Sequence, residues 1–194
     1  VSLIPSFAFG IRDRQVYRQT RIQDAQRETL ERLRETALLL QNTMQEVEAC
    51  AGELSSLDSF LDLTEQYGAG SGSGLRSQIT LQLGQSAWPC SSISTLYLIR
   101  EGADTILTSQ PDQKQLAVSG EEGRQLLAFY EEETQGQATW TVFPGTGLDG
   151  QEIVYWRPLY TSEGNLLGAL ACRMDAGHFA GAVSSLWGES GWVS

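Results

Sequence analysis

An α+β fold is what this sequence predicts: a long N-terminal helix, kinked or broken once, packed on a five-stranded antiparallel sheet. Three observations carry the prediction. Apolar residues recur at three- and four-residue steps from Ile22 to Leu61, the period falls to two after Cys90, and turn residues separate the alternating stretches at hairpin spacing. A chain of 194 residues is long enough to bury a core without disulfides or metals.

The helical stripe runs Leu30, Leu33, Ala37, Leu40, Met44, Val47, Ala51, Leu54, Leu57 or Asp58, Leu61, one face of a 3.6-residue period. Sustained alternation of three and four is also the coiled-coil signature. The first turns are therefore expected to face a second copy, giving a homodimer through the helix, while the later turns cover the core. Gly52 followed by Ser55-Ser56-Leu57-Asp58 predicts a break with a new capping box. The helix or helix pair occupies residues 11–67 and ends at Tyr67, where Gly68 to Gly74 alternates glycine with small residues that hold neither helix nor strand. A further helix from Leu75 to Ala87 is stopped by Pro89. These helices belong over one face of the sheet, because five short strands cannot bury both faces unaided.

Alternation then places strands at Ile93 to Arg100 and Thr105 to Thr108, joined through Glu101-Gly102-Ala103-Asp104. Ser119 with Glu122 three residues on reads as a capping box for a helix that passes Leu126, Leu127 and Tyr130 and ends near Thr134. Strands follow at Ala138 to Phe143, Glu152 to Thr161 and Asn165 to Asp175, with a closing helix from Asp175 to Leu186. The sheet domain is thus expected over residues 68–190, and 191–194 reads as the start of a following strand or second lobe.

The net charge of −11 and pI near 4.5 exclude DNA and RNA as partners, since a phosphate-binding surface needs clustered cations. Seven of the twelve arginines lie between Arg12 and Arg34. They fit either a juxtamembrane stretch attracted to anionic lipid or a solvated helix face with pairs such as Arg27 and Glu31. Val1 to Gly10 is too short to span a bilayer, which takes roughly 20 apolar residues. It is expected to be the tail of a transmembrane or membrane-proximal segment. The three cysteines, Cys50, Cys90 and Cys172, allow at most one intramolecular bridge; Cys172 reads as a small core residue, and a Cys50 to Cys90 pairing stays open.

No catalytic apparatus stands out. Gly145-Thr146-Gly147-Leu148-Asp149-Gly150 has dinucleotide-loop spacing, but Gln151 to Trp156 alternates like a strand where that motif needs a helix. His178 is the single histidine, which rules out a two-histidine zinc site. Glu131-Glu132-Glu133 reads as a solvated helix end, not a catalytic pair in two environments. Neither a cofactor nor a metal is expected.

The aromatic residues Tyr97, Trp140, Tyr155, Trp156 and Tyr160 gather on strands, where rings supply apolar walls with polar handles for a small ligand. Core packing accounts for the same residues equally well. Alternation puts Tyr155 and Arg157 on one face and Trp156 and Tyr160 on the other, so only one set lines a pocket. Arg157 is expected to meet an anionic ligand, because a guanidinium among aromatics requires a partner. Asp175 suits a ligand amine or the N-cap of the last helix.

The order of elements, together with Tyr155-Trp156-Arg157-Pro158-Leu159-Tyr160 and Gly168-Ala169-Leu170-Ala171-Cys172-Arg173-Met174-Asp175, resembles the Cache branch of PAS-like sensor domains. Amino-acid-binding members carry an Arg, Trp and Tyr cluster ahead of a terminal Asp. Asp175 matches that Asp, and Trp156, Arg157 and Tyr160 match the cluster in residue type alone. The resemblance implies an extracytoplasmic, non-enzymatic small-ligand sensor of a membrane-anchored bacterial signal transducer of the histidine kinase type, with an intracellular output. The alternative from a different class is a cytoplasmic coiled-coil or PAS-like dimerisation module without a small ligand.

Overall fold

The computed structural model describes residues 4–69, 72–100, 102–134, 136–144 and 151–175, with 177, 180, 181, 183 and 184 beyond them; side chains are described from Tyr17 onward. Gly145 to Gly150, His178, half of the expected closing helix and Trp192 lie outside the described residues, as does the side chain of Glu133. The chain divides into two compact units, one of residues 1–41 with 182–194 and the other Asn42–Gly181.

In the first unit most of the described side chains belong to helix α1 (Ile4–Ser55), whose residues up to Gln41 fall there. Tyr17, Ile22, Leu30, Leu33 and Leu38 are each at least half exposed. Arg32 pairs with Glu28 at 2.6 Å one turn away, an exposed contact of small energetic weight. Among the described residues no helix is long and apolar enough to cross a membrane.

The second unit begins with the rest of α1, where the predicted stripe is buried: Val47 and Ala51 are fully covered and Leu54 nearly so. The expected break comes at Ser56 and Leu57, before α2 (Asp58–Ala69), while Gly52 itself stays helical. The two serines do not cap the new helix. Ser55 Oγ donates back to Gly52 O at 2.9 Å and Ser56 Oγ to Glu53 O at 3.0 Å, which ties off the carbonyl end of α1 instead. Helix α3 (Ser73–Ala87) follows, ending just before Pro89.

The sheet has six strands where five are expected from the sequence. They are β1 (Ile93–Arg100), β2 (Thr105–Thr108), β3 (Gln115–Ala117), β4 (Thr139–Pro144), β5 (Gln151–Tyr160) and β6 (Leu166–Met174). Their order across the sheet is β3-β2-β1-β6-β5-β4, antiparallel throughout. The additional strand is a three-residue edge that pairs with β2 and buries only Leu116. Between β3 and β4 the chain forms α4 (Glu121–Phe129) and a π-helical turn, Tyr130–Thr134. Its N-cap is Gly120 with no side-chain cap, so Ser119 does not form the expected box. The close fit at Gly123 explains the shift. A Cβ there would sit 2.3 Å from Ala117 O, so α4 starts where a glycine lets the helix lie against β3.

Strand alternation gives the sheet two apolar faces. Leu96, Leu98, Leu107, Tyr155, Leu159, Leu170 and Cys172 meet α1, α2 and α3 through Val47, Leu54, Phe60, Ile79 and Leu83. Tyr97, Ile99, Ile106, Val154, Trp156, Ala169 and Ala171 meet Leu126 and Tyr130 of the α4 segment.

Candidate functional site

The sheet separates the seven residues singled out from the sequence. Tyr155, Arg157 and Trp140 belong to the side covered by α1, whereas Tyr97 and Trp156 belong to the α4 side. On the first side, Tyr155 and Trp140 are cross-strand partners with ring centroids 4.9 Å apart. The indole of Trp140 donates to Glu48 Oε1 at 2.8 Å, and Arg157 Nε donates to Ser55 Oγ at 2.6 Å. The Arg157 guanidinium also lies 3.9 Å from where a Gly52 Cβ would stand. The partner that an inward arginine requires is thus the last turn of α1. Tyr160, 41% exposed, donates from its hydroxyl to Gly136 O at 2.6 Å. Asp175 follows β6 directly, and its backbone N–H is bonded to Ser92 O at 2.9 Å.

On the α4 side the register builds a closely packed, buried row. Ala171 of β6 stands between Tyr97 of β1 and Trp156 of β5, its direct partners on either hand, so two large rings flank a methyl floor. The ring of Tyr130 lies 6.4 Å from that of Trp156. The Trp156 indole, fully buried, donates to Thr141 Oγ1 at 2.6 Å. Two residues along β6 from Ala171 the floor ends in Arg173, which donates to Tyr97 Oη at 2.9 Å and to Glu152 Oε1. Glu122 of α4 completes the group: Tyr97 donates to its carboxylate at 3.2 Å, and Arg173 lies 3.7 Å from it.

One guanidinium thus faces two carboxylates, leaving an excess negative charge. Glu152 is 8% exposed, and the Glu122 side chain is 43% exposed and so within reach of solvent. Burial alone would lower the Arg173 pKa, but Tyr97 and Glu152 outweigh it and raise the value, so the cation persists at every working pH. Burial pushes the Tyr97 phenol above its usual range against the opposing pull of Arg173, so it remains a donor. Arg173, Glu122, Glu152 and Tyr130 were not singled out from the sequence as site residues. The available signal was β6 itself, where Ala169, Ala171 and Arg173 alternate with Leu170, Cys172 and Met174; the small residues mark the face that receives large neighbours.

A cleft of about 490 Å³ opens beside Tyr130, between the β1–β2 turn and the α4 segment, and includes Arg100, Asp104 and Leu127. A larger one, about 590 Å³, lies between α3 and the segment after β2 and contains none of the predicted site residues. Among the described residues no group of His, Cys, Asp and Glu is arranged to hold a metal ion.

No protein-family model and no curated protein matches the chain in sequence. Solved structures match in shape. The sensor domain of the V. cholerae histidine kinase DctB is 16% identical with a TM-score of 0.61, over 84% of this chain and 59% of that one. The sensory domain of the Campylobacter jejuni chemoreceptor Tlp3 with isoleucine bound is 16% identical with a TM-score of 0.53, over 77% and 58%. The ligand-binding domain of the Pseudomonas aeruginosa amino acid chemoreceptor PctC in complex with GABA is 20% identical with a TM-score of 0.50, over 76% and 60%. The fold is therefore that of chemoreceptor and histidine kinase sensor domains, the PAS-like Cache architecture. The chain spans less than two thirds of each of those structures.

Proposed function

We propose that this chain is the extracytoplasmic ligand-sensing part of a membrane-anchored bacterial signal transducer of the sensor histidine kinase type, without catalytic activity of its own. The fold supports this, and the observation that carries it is Arg173 between Glu122 and Glu152, at the end of the buried row of Tyr97, Ala171 and Trp156 where Glu122 reaches solvent. A guanidinium beside two carboxylates offers one partner for each end of a zwitterion, and the cleft beside Tyr130 lies between the β1–β2 turn and the same α4 segment. A small amino compound bearing a carboxylate fits that charge set, with Glu122 swinging aside as the ligand ammonium and carboxylate arrive. Two of the similar structures hold such compounds, isoleucine and GABA. Arg157 and Tyr155 then anchor α1 to the sheet. Bound ligand biases α4, and the sheet passes the bias to α1, the element that leads toward the membrane.

A thermal-shift screen of amino acids, amines and small carboxylates tests this. A ligand that binds the native state raises Tm by an amount set by its concentration relative to Kd. The expected hit is a zwitterion whose effect vanishes in Arg173→Met and survives in Arg157→Ala. A hit lost in Arg157→Ala and kept in Arg173→Met would move the site to the other face.

The exposed residues Ile22, Leu30 and Leu33 of α1 favour a second element of the reading, a homodimer formed through that helix segment. Sedimentation of the chain and of Leu30→Glu checks it, with a dimer expected only for the former.

A further inference from the structure

A groove runs between α3 and the connection from β2 to β3, residues 109–114, and shares no residue with the group around Arg173. Both of its walls are fixed. Helix α3 is seated in the core by Ile79 and Leu83, each fully buried. The facing connection is tied to β1 and to β2. Ser109 N–H donates to Leu96 O and Leu96 N–H to Ser109 Oγ, both at 2.9 Å, while Gln110 Nε2 donates to Thr95 Oγ1 at 2.9 Å and Thr108 N–H to Lys114 O at 3.0 Å. A Cβ at Gly84 would stand 3.9 Å from Ser109 O, so the walls approach closely there without closing. Two clefts, of about 590 and about 550 Å³, lie between them and share Ser77, Thr80, Pro111 and Lys114.

Two features of this groove are unmatched within the chain. The first is apolar. Leu81 is 62% exposed and Trp88 91%, and with Gly84 and Gln85 they recur at three- and four-residue steps along the side of α3 that lines the larger cleft. The backbone N–H of Trp88 is bonded to Gly84 O at 3.0 Å, which holds the indole on the last turn. The second is charge. Arg76 and Lys114 both line the smaller cleft, and neither forms an ion pair among the described residues. The Arg76 guanidinium lies over the Tyr67 ring at 5.8 Å, and its Nε is buried without a hydrogen-bond partner. Against these two cations the lining sets one carboxylate, exposed Asp112, so one positive charge is in excess in a chain of net charge −11.

We propose that this groove is a second small-molecule site, and that it takes an aromatic carboxylate. The ligand ring stacks on the Trp88 indole beside Leu81, and the carboxylate accepts from Lys114, which lines both clefts, with Arg76 adding its charge from the smaller one. A flat, exposed indole selects a ring, and the excess positive charge selects a carboxylate over an amine. The site is independent of the ligand-sensing function assigned to Arg173.

The test titrates the 15N-labelled 194-residue chain with phenylacetate and follows the indole N–H signal of Trp88, identified by its loss in Trp88→Phe. A saturable shift is expected with a Kd of about 0.1–1 mM, the range open to a ligand of this size. Lys114→Gln and Arg76→Gln should each weaken binding about five- to tenfold, as should replacing the probe by 2-phenylethylamine. Lys114 is exposed, so its variant should melt with the parent chain and report on binding alone. Arg173→Met should leave the titration unchanged. No saturable shift up to about 10 mM, equal binding of the amine, or a titration indifferent to both Lys114→Gln and Arg76→Gln would each overturn the proposal. So would a Trp88 signal that moves on dilution without ligand, which would give this face to a second copy of the chain.

Discussion

The two faces of the sheet are built from the same strands, yet they are filled differently. Under α1, α2 and α3 nearly every inward residue is aliphatic or aromatic, and the guanidinium groups of Arg157 and Arg100 are taken up by Ser55 Oγ and by the carbonyls of Thr64 and Glu65. Under α4 the strands place Ala171 between two large rings and Ala169 between Ile99 and Pro158, and a charged group closes the row. A face filled with branched side chains holds the fold, because close-packed apolar surface has no second arrangement of similar energy. A face with small residues beneath rings and an ion group at its edge can exchange internal partners for a ligand's. On the proposed function, stability and binding fall on opposite sides of one sheet.

That division is open to direct attack. The largest effect is expected from Phe60→Ala on the helix-covered face: Phe60 is fully buried, and its removal should cost about 3–5 kcal/mol, seen as a lower urea midpoint with ligand preference unchanged. Next comes Arg173→Met, which leaves Glu152 buried without its cation and should cost about 2–3 kcal/mol as well as abolishing ligand response. Adding Glu152→Gln should recover much of the stability and none of the binding, whereas recovery of both would return the cluster to a purely structural role. Gly123→Ala pushes a methyl group into Ala117 O and should cost about 1–3 kcal/mol while weakening binding through displacement of α4. Arg157→Ala is smaller, about 1 kcal/mol for a lost hydrogen bond and stem packing, with ligand response intact.

A separate effect, absent at neutral pH, is one of alkaline titration. Burial, helped by Glu46, pushes the Cys90 thiol up from 9.0 to about 12. A group whose folded pKa is raised contributes stability that is complete below its unfolded value and lost as pH rises toward the folded one. Melting temperature should therefore be flat in this respect below pH 8 and decline between pH 9 and 12, less steeply in Cys90→Ala.

Much of the architecture was legible in periodicity. Five strands, the α1 stripe and the break after Gly52 follow from spacing alone, as does the parity that sets Tyr155 and Arg157 against Trp156. The edge strand β3 escaped because Gln115-Leu116-Ala117 holds a single large apolar residue and becomes a strand only by pairing with β2. The capping box failed because Ser119 competes with Gly123, whose closeness to Ala117 sets where α4 begins, a constraint between segments that no local motif expresses.

For the site, alternation shows that two faces exist without saying which helices cover each. Arg157 and Arg173 look alike in sequence, each on an apolar strand near aromatics. Only the assembled sheet shows that one guanidinium ends against Ser55 and the other between Tyr97 and Glu152. By itself the sequence determined the fold class, because hydrophobic periods of 3.6 and 2 are local and additive along the chain. The tertiary structure alone decided which arginine sits between two carboxylates and which is taken up by a helix end. Those outcomes depend on strand order and helix placement, which bring together residues as distant as Ser55 and Arg157 or Tyr97 and Arg173.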